Sequence, residues 1–166
     1  MSSPAWVGSF PSSRLPRGGG SSTATKENLK VLAATDAAFN ARDWKAFEKL
    51  HAKSVVVYGP DSPEPTRGVA AHRRWVEGFI GAFPDLRVRQ VRSFGGGDWA
   101  CAEYVIAGTH EGPLAGPGGQ SMPATKKKVQ IRLCNVLRFE GGKIAEEIAY
   151  FDFLGMLSQL GVVPGI

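Results

Sequence analysis

The chain is poor in the residues that build metal centres and disulfide frameworks, with two cysteines and three histidines in 166 residues. No Cys/His spacing resembles a metal site, so no metal is expected. Cys101 and Cys134 each sit inside an apolar, strand-like run. Two buried free thiols and a disulfide both fit, and the free thiols are the simpler reading. No apolar run approaches the ~18 residues of a transmembrane helix, which argues against membrane insertion. Charge of one sign is also scarce. Residues 26–166 carry 18 basic and 15 acidic side chains, and the rest of the net +5 comes from Arg14 and Arg17. That surplus is too mild to argue for nucleic acid.

The first 25 residues lack acidic side chains and carry seven serines, four glycines and three prolines. They have little to pack, so a flexible tail is expected; the same composition also suits an organelle transit peptide, particularly a plastid one. The location is therefore left open between the cytoplasm and a plastid. From there on the composition is that of one soluble domain with its own core.

Helical periodicity begins near Thr25, with Leu29, Leu32, Ala33 and Phe39 recurring. A short second helix fits Asp43 to His51, with Asp43 as N-cap and His51 fixing its end. Ser54 to Tyr58 reads as a strand by its β-branched content. Val69 to Phe83 is a third helix stopped by Pro84. Four strand patterns follow at Leu86–Phe94, Trp99–Thr109, Val129–Phe139 and Lys143–Phe151, then a helical turn or two at 153–160. Strands without intervening helices imply an antiparallel sheet, so the class is α+β, with the helices gathered on one sheet face. A strongly bent sheet over helices leaves a cone-shaped cavity suited to a small molecule.

Four phrases carry a family resemblance: DAAFNARDWKAFEKLHA, GAFPDLRVRQV, WACAEYVIAGTHEG and VLRFEGGKIAEEIAYFDFLGMLSQLG. Over residues 26–161 the chain resembles the SnoaL-like polyketide cyclases, a branch of the nuclear transport factor two-like cone fold. Residues 162–166 fall outside as a C-terminal tail. The resemblance implies a curved, mostly antiparallel sheet wrapped round three helices, a cofactor-free cavity, a hydrophobic carbonyl-bearing substrate, and a homodimer through the outer sheet face. It also implies ring closure by an intramolecular aldol reaction, with an Asp as acid/base on the last strand and a His on the strand before it. Counted from Gly142-Lys143-Ile144 and from Arg138-Phe139, those two slots fall on Ala149 and Asn135. Neither side chain titrates, so this chain departs from the family pattern at both.

A three-residue hairpin at Gly141-Gly142-Lys143 sets Asn135 opposite Ala149. Strand alternation then puts Ala145, Glu147, Ala149 and Phe151 on the cavity face. Glu147 becomes the carboxylate candidate for general base, its pKa raised by an apolar site. The competing register, favoured by Ile144, Ile148 and Tyr150, turns Glu146 and Asp152 inward, and solvated charge is the plain alternative for the glutamate pair. His110 is either a proton-transfer group at the cavity mouth or an anchor for the long loop after it. Tyr104 shares the cavity parity of its strand, and His72, Trp75 and Phe79 share one side of the third helix; each lines the pocket or packs the core. Asp152 fits a helix N-cap better than a catalyst, and Lys126-Lys127-Lys128 fits a solvated edge. Two functions stay open: a cyclase, isomerase or hydrolase using Glu147, Asn135 and His110, or a binding module of the same fold without turnover.

Overall fold

The computed structural model describes residues 22–115 and 120–163. The expectations for residues 1–21 and 164–166 lie outside that range, while residues 22–25, read from the sequence as part of the flexible tail, form the start of a helix. In chain order the elements are α1 (Ser22–Ala41), α2 (Trp44–Leu50), β1 (His51–Tyr58), β2 (Thr66–Arg67), α3 (Val69–Ala82), β3 (Arg87–Gly96), β4 (Trp99–Thr109), β5 (Leu114–Ala115), β6 (Ser121–Met122), β7 (Lys128–Glu140), β8 (Lys143–Phe151) and α4 (Phe153–Leu160). The six-stranded sheet runs β2-β1-β8-β7-β4-β3, with β5 and β6 as a separate small ribbon. This is the α+β class read from the sequence. The sheet is mixed: β1 lies parallel to β8, while the other neighbours pair antiparallel. No helix among the described residues is long and apolar enough to cross a membrane.

Helix starts follow side-chain chemistry. The Asp43 carboxylate accepts from the Ala46 N–H at 2.9 Å and that of Asp152 accepts from the Gly155 N–H at 2.7 Å, so each caps the helix it precedes. Asp152→Ala is expected to cost about 1 kcal/mol and to lower the melting temperature by about 2–4 °C, measurable by thermal denaturation. Asn40, at the end of α1, clamps the helix to β3: its side chain donates to the Val88 carbonyl at 2.8 Å and accepts from the Val88 N–H at 3.0 Å.

Alternation on the central strands sends Ala100, Ala102, Tyr104 and Ile106 of β4 into the core. From β7 come Val129, Ile131, Leu137 and Phe139, the helices contribute Leu32, Met156 and Leu160, and Phe83 joins them from the C-cap of α3.

The β7–β8 hairpin reaches the expected pairing by a different route. The turn has two residues, Gly141 and Gly142, at φ +56° and +72°, between the paired Glu140 and Lys143. Positive φ at both central positions is what a type I′ turn demands and what glycine supplies without strain. The register then shifts between Phe139↔Ile144 and Arg138↔Glu146, leaving Ala145 as an extra residue in a β-bulge. The bulge replaces the third turn residue expected from the sequence, and Asn135 still pairs with Ala149. It also switches the inward parity of β8: Ile144 is fully buried in the core before it, and Glu147, Ala149 and Phe151 line the cavity after it. Ala145 is buried but lies outside the lining.

Candidate functional site

The cavity lies between the concave sheet face and helices α1 and α3, with a free volume of about 160 Å³. That is some ten times what one water needs, about 10–15 Å³ in the same measure. Its walls are mostly apolar. The polar groups reaching it include Asp36 from α1, His72 from α3, Tyr104 from β4, Asn135 from β7 and Glu147 from β8. Trp75, Phe79, Ala149 and Phe151 are on the wall as well. Among the described residues, no lysine or arginine lines it.

Glu147 sits diagonally across the β7–β8 ladder from Asn135, on the same face. The Asn135 side-chain amide donates to Glu147 Oε1 at 2.7 Å. The second oxygen, Oε2, lies 4.0 Å from His51 Nε2 and 4.0 Å from His72 Nε2. Burial, reinforced by the neighbouring Asp36 carboxylate, lifts the Glu147 pKa to about 7. Asp36 is itself raised to about 6 by burial, against the opposing hydrogen bonds from Tyr104 and Gln90; Gln90 Nε2 donates to Asp36 Oδ2 at 3.1 Å. Tyr104 is held well above its ordinary pKa by burial and by Asp36, so it stays a phenol.

The two imidazoles are pushed toward the neutral form. Burial lowers the pKa of His51, and burial plus the neighbouring His51 takes His72 to about 3. The His51 ring is oriented by Nδ1, 2.7 Å from the Phe47 carbonyl oxygen, so Nδ1 carries the proton and Nε2 presents a lone pair. This contact also ties His51 to the end of α2, as its place in the sequence suggests. Trp75 donates from Nε1 to Asp61 Oδ2 at 2.8 Å, which anchors the loop of residues 59–65, part of the cavity lining, to α3.

His110 lies elsewhere. It is fully buried behind Phe83, ring centroids 5.1 Å apart, and does not line the cavity. Its Nδ1 accepts from the Thr125 N–H at 3.2 Å, and its backbone pairs with Lys126 and Lys127. It therefore anchors the return of the long loop, and the expectation of a cavity-mouth proton carrier is corrected on that ground. Lys126 pairs with Glu111 at the same edge. Cys101 and Cys134 are free, half-buried thiols with sulfurs 3.4 Å apart on the outer sheet face.

Two groups at the site are absent from the sequence reading in these roles. Asp36 interrupts an apolar helical stripe, Leu32-Thr35-Asp36-Phe39, and a lone carboxylate in such a stripe is a legible signal. The convergence of His51 with Glu147 has no local signal, because it depends on β1 pairing in parallel with a strand some ninety residues away.

A half-open α+β cone with carboxylates and an amide converging in an apolar hollow is a small-molecule site. The chain belongs to the SnoaL-like polyketide cyclase family, whose model matches residues 29–160. One curated relative, the nogalonic acid methyl ester cyclase of Streptomyces nogalater, is 34% identical over 77 residues; the match spans 46% of this chain and 54% of the relative. The chain thus aligns with about half the length of that protein. Among solved structures, a candidate SnoaL-like polyketide cyclase from Jannaschia sp. CCS1 superposes with a TM-score of 0.77 at 16% identity, covering 89% of this chain and all of the other. AclR, a candidate hydroxylase from Streptomyces galilaeus, superposes at 0.71 with 24% identity over 86% and 85% of the two chains. These two likenesses establish the fold.

Proposed function

We propose that the protein rearranges a hydrophobic, carbonyl-bearing small molecule by proton transfer at Glu147, as a cyclase or isomerase. The observation that carries this is the Glu147 carboxylate, held by Asn135 inside an apolar hollow with its second oxygen 4.0 Å from the two neighbouring imidazole nitrogens. A buried, oriented carboxylate is suited to removing a proton from a carbon flanked by carbonyls. The C–H electron pair moves onto a carbonyl oxygen as the enolate forms. The enolate carbon then attacks a second carbonyl of the same molecule, closing a ring, or is reprotonated elsewhere, shifting a double bond. Glu147, now the acid, returns the proton, so no atoms are gained or lost. Tyr104, kept protonated beside Asp36, becomes a donor to a developing oxyanion if its hydroxyl turns from Asp36.

Family membership and the cyclase relative support this reading. Ala149 and Asn135 stand where the family resemblance puts its acid/base pair, so the acid/base function falls to Glu147, two residues away on the same face. The same substitutions favour a second reading, ligand binding without turnover. The test is incubation with a neutral polycyclic β-dicarbonyl ester, followed by chromatography and mass spectrometry. A ring-closed or isomerised product of unchanged mass, formed faster than in buffer, is expected. A recovered ligand in native mass spectrometry with no turnover would select the binding reading.

A homodimer through the outer sheet face belongs to the same proposal. Phe94 and Tyr150 are 63% and 59% exposed there, beside an ion-pair ladder of Arg92, Glu103 and Arg132. Sedimentation is expected to give a dimer for the natural chain and a monomer for Tyr150→Asp, since a charge in an apolar contact costs several kcal/mol. A monomeric natural chain would sink the dimer.

A further inference from the structure

Two imidazoles and a carboxylate converge at the cavity wall from three distant parts of the chain. His51 Nε2 and His72 Nε2 each stand 4.0 Å from Glu147 Oε2, and one ligand atom from each residue falls within 4.8 Å of the others. Both histidine side chains are almost fully buried. We propose that His51, His72 and Glu147 form a binding site for a divalent transition metal, of which Zn²⁺ is the representative.

Four observations carry this. First, His51 Nε2 is buried and has no hydrogen-bond partner, while the opposite ring nitrogen donates to the Phe47 carbonyl. A metal-binding imidazole nearly always has that outer bond, which fixes the tautomer and aims the lone pair; His51 has it, whereas His72 Nδ1 is buried without a partner and its ring is held by packing alone. Second, Asn135 occupies Glu147 Oε1 and leaves Oε2 turned to the two rings. A ligating carboxylate is held in the same way by a neighbour. Third, the rings are fixed by packing: Phe47 lies 4.3 Å from the His51 ring and 5.3 Å from that of His72. Fourth, no lysine or arginine among the cavity-lining described residues supplies a competing positive charge.

The donor set is the two-histidine, one-glutamate set of three-ligand catalytic zinc sites, which keep a fourth position open. Bond lengths of about 2.0–2.2 Å require each ligand atom to close in by roughly half an ångström. Glu147, at 15% the most exposed of the three side chains, can rotate toward the rings, and both imidazoles must shift as well. Because His72 and Glu147 line the hollow, an ion held there would be able to polarise a substrate carbonyl oxygen. With Glu147 engaged, Asp36 is the carboxylate left to take a proton. This goes beyond the proton-transfer proposal, and either stands if the other fails.

The test uses the full chain, stripped with a chelator and titrated with Zn²⁺ by calorimetry, then with Co²⁺ by absorption spectroscopy. One equivalent of Zn²⁺ is expected, with affinity at least tenfold weaker in Glu147→Gln and in His72→Gln. Circular dichroism checks that both variants fold, and the surface double variant Cys101→Ser/Cys134→Ser should bind like the natural chain. The cobalt spectrum should lack a thiolate-to-metal band. No stoichiometric binding by the folded natural chain overturns the proposal, as does equal affinity in a folded Glu147→Gln. Loss of binding in the cysteine variant overturns it too, by placing the ion on the outer-face thiols. No substrate enters these measurements, so turnover by the stripped protein bears only on the proton-transfer reading.

Discussion

Glu147→Gln is expected to abolish turnover and, at the same time, to stabilise the metal-free protein at alkaline pH. The amide keeps the shape of the carboxylate, and its oxygen still accepts from the Asn135 amide. It cannot take a proton, and loss of a positioned general base typically costs about 10²–10⁴-fold in rate. The stability effect follows from linkage. Glu147 titrates near 4.5 in the unfolded chain and near 7 when folded, because burial and Asp36 oppose its charge. Its folded pKa is raised, so its contribution to stability is complete below pH 4.5 and is lost as pH rises through 7. The natural chain then gives up about 3 kcal/mol between those limits, which the Gln variant does not. Denaturant titrations at pH 5 and pH 8 in chelator should show the variant gaining on the natural chain at the higher pH. Equal pH dependence in both proteins would remove the case for a buried, ionisable Glu147, and full activity in the variant would remove its role as base.

Phe83→Ala is expected to be the most damaging substitution in the core. Phe83 is completely buried between Phe79 and His110, with ring centroids 5.1 Å away on both sides. Removing it leaves a cavity at the seam where α3, β3 and the anchored loop meet. The cost is about 3–5 kcal/mol, or on the order of 10 °C in melting temperature. Because His110 loses the ring that backs it, the loop returning through Thr125 and Lys126 should loosen. Hydrogen exchange at the His110 and Lys126 amides, which bond across the loop, reads that directly. A melting temperature within 2–3 °C of the natural chain would mean that the seam relaxes into the void.

Much of this architecture was legible because it is local. The caps at Asp43 and Asp152, the helix from Val69 and the glycine turn before β8 all follow from short-range chemistry. The pairing of Asn135 with Ala149 was legible too, although its expected cause, a three-residue hairpin, gave way to a tighter turn and a bulge. What escaped was long-range. Nothing near His51 announces that β1 will run parallel to β8, and so nothing local brings its ring to Glu147. Asp36 was visible as a misfit in an apolar stripe, but its influence on Glu147 exists only once α1 lies over the sheet. His110 sits in a phrase typical of the family, yet its place was decided by Phe83 and Thr125, neither of which its strand pattern specifies.

The extra residue at Ala145 bears on how this site could be rewritten. Two glutamates stand side by side in β8, and a strand shows only one of any adjacent pair to each face. Deleting Ala145 would close the bulge and leave Glu147 facing the hollow opposite Leu137. Taking Ala145 into register with Arg138 instead would act as a frameshift acts on a message: Glu147, Ala149 and Phe151 would turn outward, and Glu146, Ile148 and Tyr150 would be read into the hollow. A single backbone irregularity thus selects which of two chemically identical neighbours faces the hollow and which is left to pair with Arg138 on the surface.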